Sequence, residues 1–290
     1  MLNLIFKFFS FLGVHLPLPL SYFIGRRLAE LRYIFAGELR KKVRRNLKII
    51  MERKGEKEFD LQKLVKNTFY NFSKYMVDFF NIPKWDLRRV KKKVIIENME
   101  FLDEALSYGK GVVALTAHIG NWELAGIVSS LLGYKITAIA IPYISHSITQ
   151  LYKKRRESKG VEVILTGSNP KLIIKALKEN RILAILGDRP FTEKGTEVEF
   201  FGKKALFPRG PATLAVKTGA KFIAGFFVFQ GDKYRFFFRK IPPFPSSLSE
   251  EEKIEFLLQQ SVSIIEDVIL QYPDQWFNFS DIWVDNQSSG

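Results

Sequence analysis

The stretch Gly111-Val-Val-Ala-Leu-Thr-Ala-His-Ile-Gly-Asn-Trp-Glu123 joins an apolar run to the start of a helical pattern. Residues 111–117 have the composition of a buried strand, and residues 122–132 have the apolar spacing of an amphipathic helix. His118 therefore stands at the carboxyl end of a strand, and Glu123 stands in the first turn of the helix that follows. Because open α/β sheets bind their ligands at the carboxyl ends of parallel strands, this stretch predicts both an α/β fold and the place of its site.

The residue types at this strand end favour acid–base chemistry. His118 is suited to act as a general base near neutral pH, and the Glu123 carboxylate can orient its ring and stabilise the charged form. The backbone N–H groups around Gly120 and Asn121 are predicted to lie at a helix N-terminus, where an oxyanion or a phosphate is favoured. Asn121 is equally suited to cap the helix and to support catalysis. The alternative is a structural histidine with an acidic residue in a favourable first helical turn.

Strand and helix patterns alternate through the middle of the chain. That alternation predicts an α/β fold in which a mainly parallel central sheet is flanked by crossover helices. Residues 221–229 and 234–240 predict a β-hairpin, and residues 249–270 predict a final helix whose first turn, Ser249-Glu-Glu-Glu252, has the form of a capping box. The predicted strands are 112–117, 135–140, 161–165 and 182–187, and the other predicted helices are 39–51, 61–80, 97–107, 121–132, 145–158, 170–179 and 208–218.

The first 25 residues are apolar and rich in phenylalanine, with Lys7 as their one charged side chain. They have no Ala-x-Ala cleavage site, and Pro17 and Pro19 interrupt the run that a membrane span would need. We predict a short membrane-embedded or re-entrant hairpin or a tilted anchor; the alternative is a helix whose apolar face packs on the domain. The predicted organisation is a hydrophobic membrane-associating segment over 1–25, a basic helical region over 26–95 and an α/β core over 96–286.

The chain has a formal net charge of +15, and the excess is concentrated in two segments. Residues 26–54 contain eleven Lys or Arg against three Glu, and residues 84–93 contain six against one Asp. Such segments indicate an anionic partner, which the composition leaves open as a membrane surface, a nucleic acid or an acidic protein; the alternative is a solvated helix face. Basic residues that follow a membrane segment tend to stay on the cytoplasmic side, so the protein is predicted at the cytoplasmic face of the plasma (inner) membrane.

Several catalytic classes are excluded by their motifs. The chain has no cysteine, which rules out thiolate zinc sites, a cysteine nucleophile and disulfides. It also lacks the G-x-S-x-G nucleophile elbow, a Walker loop, a G-x-G-x-x-G after a strand and the H-E-x-x-H zinc motif. His15 and His146 are not accompanied by an acid in a comparable loop, which leaves His118 as the candidate base.

The run His118-Ile-Gly-Asn-Trp-Glu123 resembles the His-x-x-x-x-Asp/Glu signature of glycerolipid-type acyltransferases. Its form His-x-Gly-Asn-Trp-Glu resembles the branch of this lysophospholipid acyltransferase-like superfamily that contains the late (secondary) lipid A acyltransferases and the phosphatidylinositol mannoside acyltransferases. Arg189 departs from the Asp-Gln or Asp-His pair that is frequent in the family's acidic loop. Further segments follow in the family's order over most of the chain: 15–20 with Gly25-Arg26, 44–47, Arg156 with Gly160, 187–189, 200–202, 208–212 and 218–220.

The resemblance implies a glycerolipid-acyltransferase-like fold and an O-acyltransferase that moves a fatty acyl chain to a glycolipid hydroxyl, with His118 as general base. It implies acyl carrier protein or coenzyme A as the acyl carrier, no metal and no other cofactor. The implied partners are a membrane glycolipid, acyl carrier protein and an anionic membrane surface, and not nucleic acid. The expected acceptor is a lipid A precursor, with a phosphatidylinositol mannoside or another glycolipid as the alternative. A basic module that binds nucleic acid or an acidic protein would account for the charge, but not for the aromatic amino terminus or the ordered motifs.

Further site residues are predicted around the same sheet edge. Asp188 and Arg189 follow a predicted strand, where they are expected to contact substrate or, alternatively, to form a turn with a surface ion pair. By resemblance, Arg156 is a candidate for binding an anionic headgroup or the pantetheine phosphate through its guanidinium. Arg209 and Gly210 precede a helix and are expected to approach the ligand; Gly210 has the alternative role of a tight turn. The predicted catalytic residues are His118 and Glu123, and the predicted substrate-binding residues are Asn121, Arg156, Asp188, Arg189, Arg209 and Gly210.

Overall fold

A computed structural model describes residues 2–55, 59–143, 145–190, 195–245 and 247–284 of the chain. The strands in these residues are β1 (Val94–Glu97), β2 (Val112–Thr116), β3 (Ile136–Ala140), β4 (Glu162–Leu165), β5 (Ile182–Leu186), β6 (Thr196–Phe200), β7 (Lys203–Phe207), β8 (Lys221–Gln230) and β9 (Lys233–Lys240). Seven of these described strands form one sheet in the order β1-β9-β8-β2-β5-β3-β4, and β6 pairs with β7. β8, β2, β5, β3 and β4 run parallel, whereas β9 is antiparallel to β8. The predicted α/β fold with a mainly parallel central sheet is confirmed.

Helices flank the sheet, and a hydrophobic cluster forms on each of its faces. Along β8, Phe222, Ala224 and Phe226 belong to one cluster, while Ile223 and Phe227 belong to the other. This alternation is the two-residue period of a strand that is covered on both sides. The described helices are α1 (Leu2–His15), α2 (Leu18–Phe35), α3 (Gly37–Lys54), α4 (Leu61–Phe80), α5 (Leu87–Lys93), α6 (Glu100–Ser107), α7 (Trp122–Leu131), α8 (His146–Glu157), α9 (Lys171–Lys178), α10 (Gly210–Thr218) and α11 (Glu250–Gln271).

Two local predictions, a hairpin and a helix cap, are confirmed. β8 and β9 form the predicted hairpin, with Gln230 paired to Lys233 across a two-residue turn. Gly231 begins that turn with a φ of 61°, the left-handed conformation that such a turn requires. α11 begins with the predicted capping box, in which Glu252 accepts the Ser249 N–H at 2.8 Å and donates its own N–H to the Ser249 hydroxyl.

The first part of the α/β region differs from the prediction. The helix predicted over 97–107 begins at Glu100, because Val94–Glu97 forms β1 and pairs with β9 at the edge of the sheet. The β6–β7 hairpin was also missed. These are short strands, and their conformation depends on pairing partners that the periodicity of the sequence does not show. The predicted domain borders after residues 25 and 95 fall inside α2 and β1.

α1 and α2 form a helical hairpin that packs on α4. Asn81 Nδ2, just after α4, donates to the Gly13 carbonyl at 2.5 Å, and Gly25 lies so close to Val77 that a Cβ there would be 2.9 Å from its Cγ2. The opposite side of α2 leaves four apolar side chains between 43% and 60% exposed, which we call the exposed stripe of α2: Leu20, Phe23, Leu31 and Ile34.

No helix in the described part of the chain is both long enough and apolar enough to cross a membrane.

Candidate active site

The carboxyl ends of β2 and β5 bring the candidate histidine to its partner. The two strands are neighbours in the sheet, and their register pairs Thr116 with Leu186. Two residues beyond this pair, His118 Nδ1 lies 2.7 Å from Asp188 Oδ1. The Asp188 side chain is fully buried, whereas 16% of the His118 side chain is exposed. The carboxylate that orients the imidazole is therefore that of Asp188.

Asp188 is held as a carboxylate. Burial raises its pKa, but the charge of His118 and the hydrogen bond between the two side chains outweigh burial and hold the pKa below its ordinary value. The second oxygen of Asp188 accepts a hydrogen bond of 3.0 Å from Trp276 Nε1. Because a carboxylate can only accept, neutral His118 carries its proton on Nδ1, and Nε2 remains as the basic nitrogen.

Glu123 contacts a different side chain from the one expected. Its two oxygens accept hydrogen bonds of 2.8 and 2.6 Å from Nε and Nη2 of Arg156 on α8. Only 4% of the Glu123 side chain and 13% of the Arg156 side chain are exposed. Burial lowers the pKa of Arg156, but the charge of Glu123 more than compensates and raises it above the ordinary value. The expected contact between Glu123 and His118 is thus replaced by a buried ion pair, and an anionic group of a substrate would compete with Glu123 for Arg156.

Residues His118–Asn121, here termed the catalytic loop, are fixed by backbone hydrogen bonds. Gly120 N–H donates to the Gln275 carbonyl at 2.9 Å, and Asn121 N–H donates to the Phe227 carbonyl at 2.7 Å. The prediction that N–H groups here hold an oxyanion or a phosphate is therefore wrong for Gly120 and Asn121, because both donors are occupied. Gly120 has a φ of 61°, and a Cβ there would lie 2.2 Å from the Phe227 oxygen, so only glycine fits.

The side chain of Asn121 has two partners. Its Oδ1 accepts the Leu124 N–H at 3.1 Å, so the predicted cap of the helix is confirmed. Its Nδ2 donates to Asp78 Oδ2 at 3.1 Å. One buried amide therefore caps α7 and also joins the catalytic loop to α4.

The remaining predicted residues lie in different places. Arg189 lines the same cavity as His118 and has no ion-pair partner within the described residues. The alternative of a surface ion pair with Asp188 is wrong, because Asp188 is buried against His118. Arg209 is bound to Glu251 at the surface, and neither Arg209 nor Gly210 is among the described residues that line the cavity. The backbone of Gly210 is not left-handed, so a tight turn does not require glycine there.

His118 faces a largely apolar cavity of about 700 Å³, whose described walls come mainly from α4, α7, α8, β3 and the carboxyl end of β5, with Phe6 of α1 and the segment after α11. That volume lies in the range of small-molecule sites, about 300–1,000 Å³. Burial and then the charge of Glu123 raise the pKa of Tyr143 to about 12, so this phenol is neutral near pH 7. The described titratable side chains of the lining are His118, Glu123, Arg156, Arg189, Tyr75, Tyr143 and Tyr152. A base and a guanidinium that has no ion-pair partner among the described residues, both beside hydrocarbon, suit a substrate that joins an alkyl chain to a polar reacting group.

Another apolar cavity, of about 460 Å³, lies between α1, α2 and α4. It shares Phe6, Phe72 and Met76 with the cavity at His118. Arg32 is the charged residue of its described lining. Apolar space therefore extends from the site towards the N-terminal hairpin.

Two further residues, Trp276 and Asp78, shape the site without having been predicted from the sequence. Asp78 had a detectable signal, because it is an acid beside Phe79 on the apolar face of a helix. Trp276 had none, because it follows α11 in an irregular segment whose pairing with Ile119 depends on the tertiary structure. In the described part of the chain, no cluster of three or more His, Asp or Glu side chains could hold a metal ion.

Comparison with known proteins points to one family. Residues 2–284 match the family described as bacterial lipid A biosynthesis acyltransferase. The chain is 27% identical over 261 residues to the phosphatidylinositol mannoside acyltransferase of Mycolicibacterium smegmatis, covering 88% of this chain and 83% of the relative. It is 31% identical over 172 residues to the protein of the same name from Mycobacterium tuberculosis, covering 57% and 54%. It is 23% identical over 269 residues to the lipid A biosynthesis palmitoleoyltransferase of Escherichia coli, covering 91% and 85%.

Proposed function

Since the chain belongs to the bacterial lipid A biosynthesis acyltransferase family, we propose that it transfers a fatty acyl chain from acyl carrier protein or coenzyme A to a hydroxyl group of a membrane glycolipid. The observation that carries this proposal is the His118–Asp188 pair at the wall of a largely apolar cavity. A base in that position can reach a hydroxyl group while the cavity keeps the hydrocarbon chain away from water.

In the proposed step, His118 Nε2 takes the proton of the acceptor hydroxyl as the hydroxyl oxygen bonds to the thioester carbonyl carbon. The carbon–sulfur bond then breaks, and the carrier leaves as a thiol with the proton from His118. The acyl chain remains on the acceptor as an oxygen ester, and His118 is never acylated. Asp188 stabilises the imidazolium between the two proton transfers and keeps its own charge, because its pKa is held low.

We propose that Arg189 binds the negatively charged part of the substrate. It lines the cavity and has no ion-pair partner in the part of the chain that the structure describes. Arg156 is less suited to this role, because Glu123 already occupies its guanidinium. Arg189 can therefore stabilise the oxyanion that develops on the thioester, or bind a substrate phosphate.

Two glycolipids are candidates for the acceptor. A lipid A precursor is the acceptor expected from the motifs. The identities of 27% and 31% to phosphatidylinositol mannoside acyltransferases, against 23% to the Escherichia coli lipid A palmitoleoyltransferase, favour a mannosylated phosphatidylinositol. Both acceptors combine sugar hydroxyls, phosphate and hydrocarbon chains, so both belong in the test.

We propose that the protein acts at the cytoplasmic face of the plasma (inner) membrane. The exposed stripe of α2 supports apolar insertion, and the Lys and Arg side chains of α3 support attraction to an anionic surface, at about 1 kcal/mol for each well-placed basic residue. In this arrangement the partners are an anionic membrane, the glycolipid acceptor in it, and acyl carrier protein as donor.

The test combines the full-length protein with vesicles that contain either acceptor and with labelled acyl thioesters of either carrier. We expect a labelled acyl ester on one glycolipid, identified by mass spectrometry. His118→Ala should lower turnover by about a hundredfold to ten-thousandfold, whereas His146→Ala, at an exposed position on α8, is the matched control and should not. If neither carrier supports transfer to either glycolipid, the proposed function is wrong.

A further inference from the structure

Asp78, in the last turn of α4, is a fully buried carboxyl at the point where α2, α4, β9 and the catalytic loop meet. It accepts hydrogen bonds from the Tyr22 hydroxyl on α2 at 2.5 Å, from the Tyr234 hydroxyl on β9 at 2.8 Å and from Asn121 Nδ2 at 3.1 Å. Burial raises the pKa of Asp78, while the hydrogen bonds from the two tyrosines lower it. Because a buried carboxyl is costly unless its oxygens are satisfied, three donors around one acid indicate a role beyond filling space.

The hydrogen bond to Asp78 fixes the orientation of the Asn121 amide. Asp78 accepts from Nδ2, so Oδ1 must face the Leu124 N–H, where it caps α7. The reversed amide would leave the Leu124 N–H facing an NH₂ group and the acid facing a carbonyl oxygen. Since Asn121 is the last residue of the catalytic loop, Asp78 thereby sets where α7 begins relative to His118.

α4 holds the same region at a second point, one turn before Asp78. The Tyr75 ring stacks on Trp122 with ring centroids 4.3 Å apart, and Trp122 meets the His118 ring edge to face at 5.0 Å. The imidazole is therefore positioned by Asp188 on one side and by α4, through Trp122 and Asn121, on the other.

We propose that Asp78 is a positioning residue for acyl transfer and that Tyr22 extends its connection to the N-terminal hairpin, so that the seating of α2 on α4 sets the geometry of the catalytic loop. Neither Asp78 nor Tyr22 takes part in the proposed chemistry. Only the kinetic test of this proposal rests on the proposed function. Its consequence is that removal of the Tyr22 hydroxyl lowers turnover, although Tyr22 has no described contact with His118 or Asp188.

The chain offers a matched control on the same two helices. Tyr70 on α4 donates from its hydroxyl to Glu30 Oε1 on α2 at 3.0 Å. Tyr70→Phe therefore also removes one phenol hydrogen bond between α2 and α4. Neither Tyr70 nor Glu30 has a described contact with the catalytic loop. Tyr22→Phe and Tyr70→Phe thus differ in whether the lost hydrogen bond leads to Asp78.

The kinetic experiment measures kcat, both substrate KM values and the thermal unfolding of the full chain. We expect Tyr22→Phe to lower kcat about tenfold with KM changed less than about twofold, and Tyr70→Phe to stay within about twofold of wild type in both. Asp78→Asn should lower kcat further; if it does not fold, the two tyrosine variants decide the question. Equal kcat in Tyr22→Phe and Tyr70→Phe would overturn the proposal.

A second measurement does not depend on turnover. The chain has three histidines, so ¹³C-labelled histidine produces three sets of ring signals, which His15→Ala and His146→Ala assign. We expect Tyr22→Phe to shift the His118 signals and Tyr70→Phe to leave them in place. Unchanged His118 signals in Tyr22→Phe would overturn the coupling. Shifted signals in a protein that transfers no acyl chain would support the coupling and contradict the proposed function alone.

Discussion

His118 Nδ1 and Asp188 Oδ1 lie 2.7 Å apart, although seventy residues separate them along the chain. The contact arises because β2 and β5 are neighbouring strands in which Thr116 lies opposite Leu186. His118 and Asp188 each follow two residues later, so they lie side by side beyond the ends of the two strands. Trp276, from the segment after α11, holds the second oxygen of the acid at 3.0 Å. Three distant parts of the chain therefore build the candidate base and fix its tautomer.

Asp188→Asn is expected to lower kcat by about a thousandfold or more and to change KM little. The asparagine amide can donate as well as accept, so His118 is no longer compelled to carry its proton on Nδ1, and Nε2 loses its role as base. Steady-state kinetics with the thioester donor measure the effect. Asp267→Asn, at an exposed position on α11, is the matched control. A turnover of Asp188→Asn close to that of the control would remove Asp188 from the mechanism.

Asp188 also makes stability depend on pH. Its folded-state pKa is held below the ordinary value of 3.8, so its stabilising contribution is complete above that value and is lost as the pH falls towards the folded-state pKa. We expect the difference in free energy of unfolding between wild type and Asp188→Asn to narrow as the pH falls below about 4. Urea unfolding over a pH series measures the difference. A difference in the free energy of unfolding that grows as the pH falls would contradict a lowered pKa of Asp188.

Glu123 and Arg156 are expected to contribute to stability as a pair. Their side chains are 4% and 13% exposed, so removal of one leaves a buried charge without its partner. Glu123→Ala should lower the free energy of unfolding by about 3 kcal/mol, and Glu123→Gln, which keeps the volume and one acceptor oxygen, by less. Denaturant unfolding measures both, with Glu38→Ala at an exposed ion pair as the control that leaves stability unchanged. Wild-type stability and kcat in Glu123→Ala would exclude both a structural and a catalytic role.

Gly120→Ala is expected to impair activity more than its backbone conformation alone would explain. A Cβ at this position would lie 2.2 Å from the Phe227 carbonyl oxygen, so the catalytic loop must move. Gly55 also has a positive φ, but none of the described residues lies within 4 Å of a Cβ placed there, so we expect Gly55→Ala to carry only the cost of the left-handed backbone, about 1 kcal/mol. Thermal unfolding and kcat of the two variants separate these effects. An equal loss of kcat in the two variants would show that the close approach of residue 120 to the Phe227 carbonyl oxygen is unimportant for activity.

The exposed stripe of α2 is expected to insert into membranes. Phe23→Ser combined with Ile34→Ser should weaken binding to anionic vesicles by about tenfold or more, because burial of each large apolar side chain contributes about 1.5–3 kcal/mol. Co-sedimentation with vesicles at low and high salt measures the change. Leu172→Ser, at an exposed apolar residue on α9, is the matched control. Undiminished binding of the double variant at high salt would place the membrane contact elsewhere.

Much of the fold could be predicted because the patterns that indicate it involve residues close together in the sequence. The apolar run before His118, the turn at Gly231 and the capping box at Ser249 each depend on residues a few positions apart. The strand–helix alternation predicted a mainly parallel sheet, and the order of motifs predicted the family. The motif around His118 also placed the candidate base at a carboxyl strand end, where the structure has it.

The alternation of strands and helices, the family and the place of His118 at a strand end can all be read from the sequence alone. Three contacts cannot: the orientation of His118 by Asp188, the pairing of Glu123 with Arg156, and the connection from Tyr22 through Asp78 to Asn121. These contacts depend on strand order and register, which follow from the apolar faces that the whole chain can bury together. A side chain at a strand end therefore acquires its partner only when the sheet has formed.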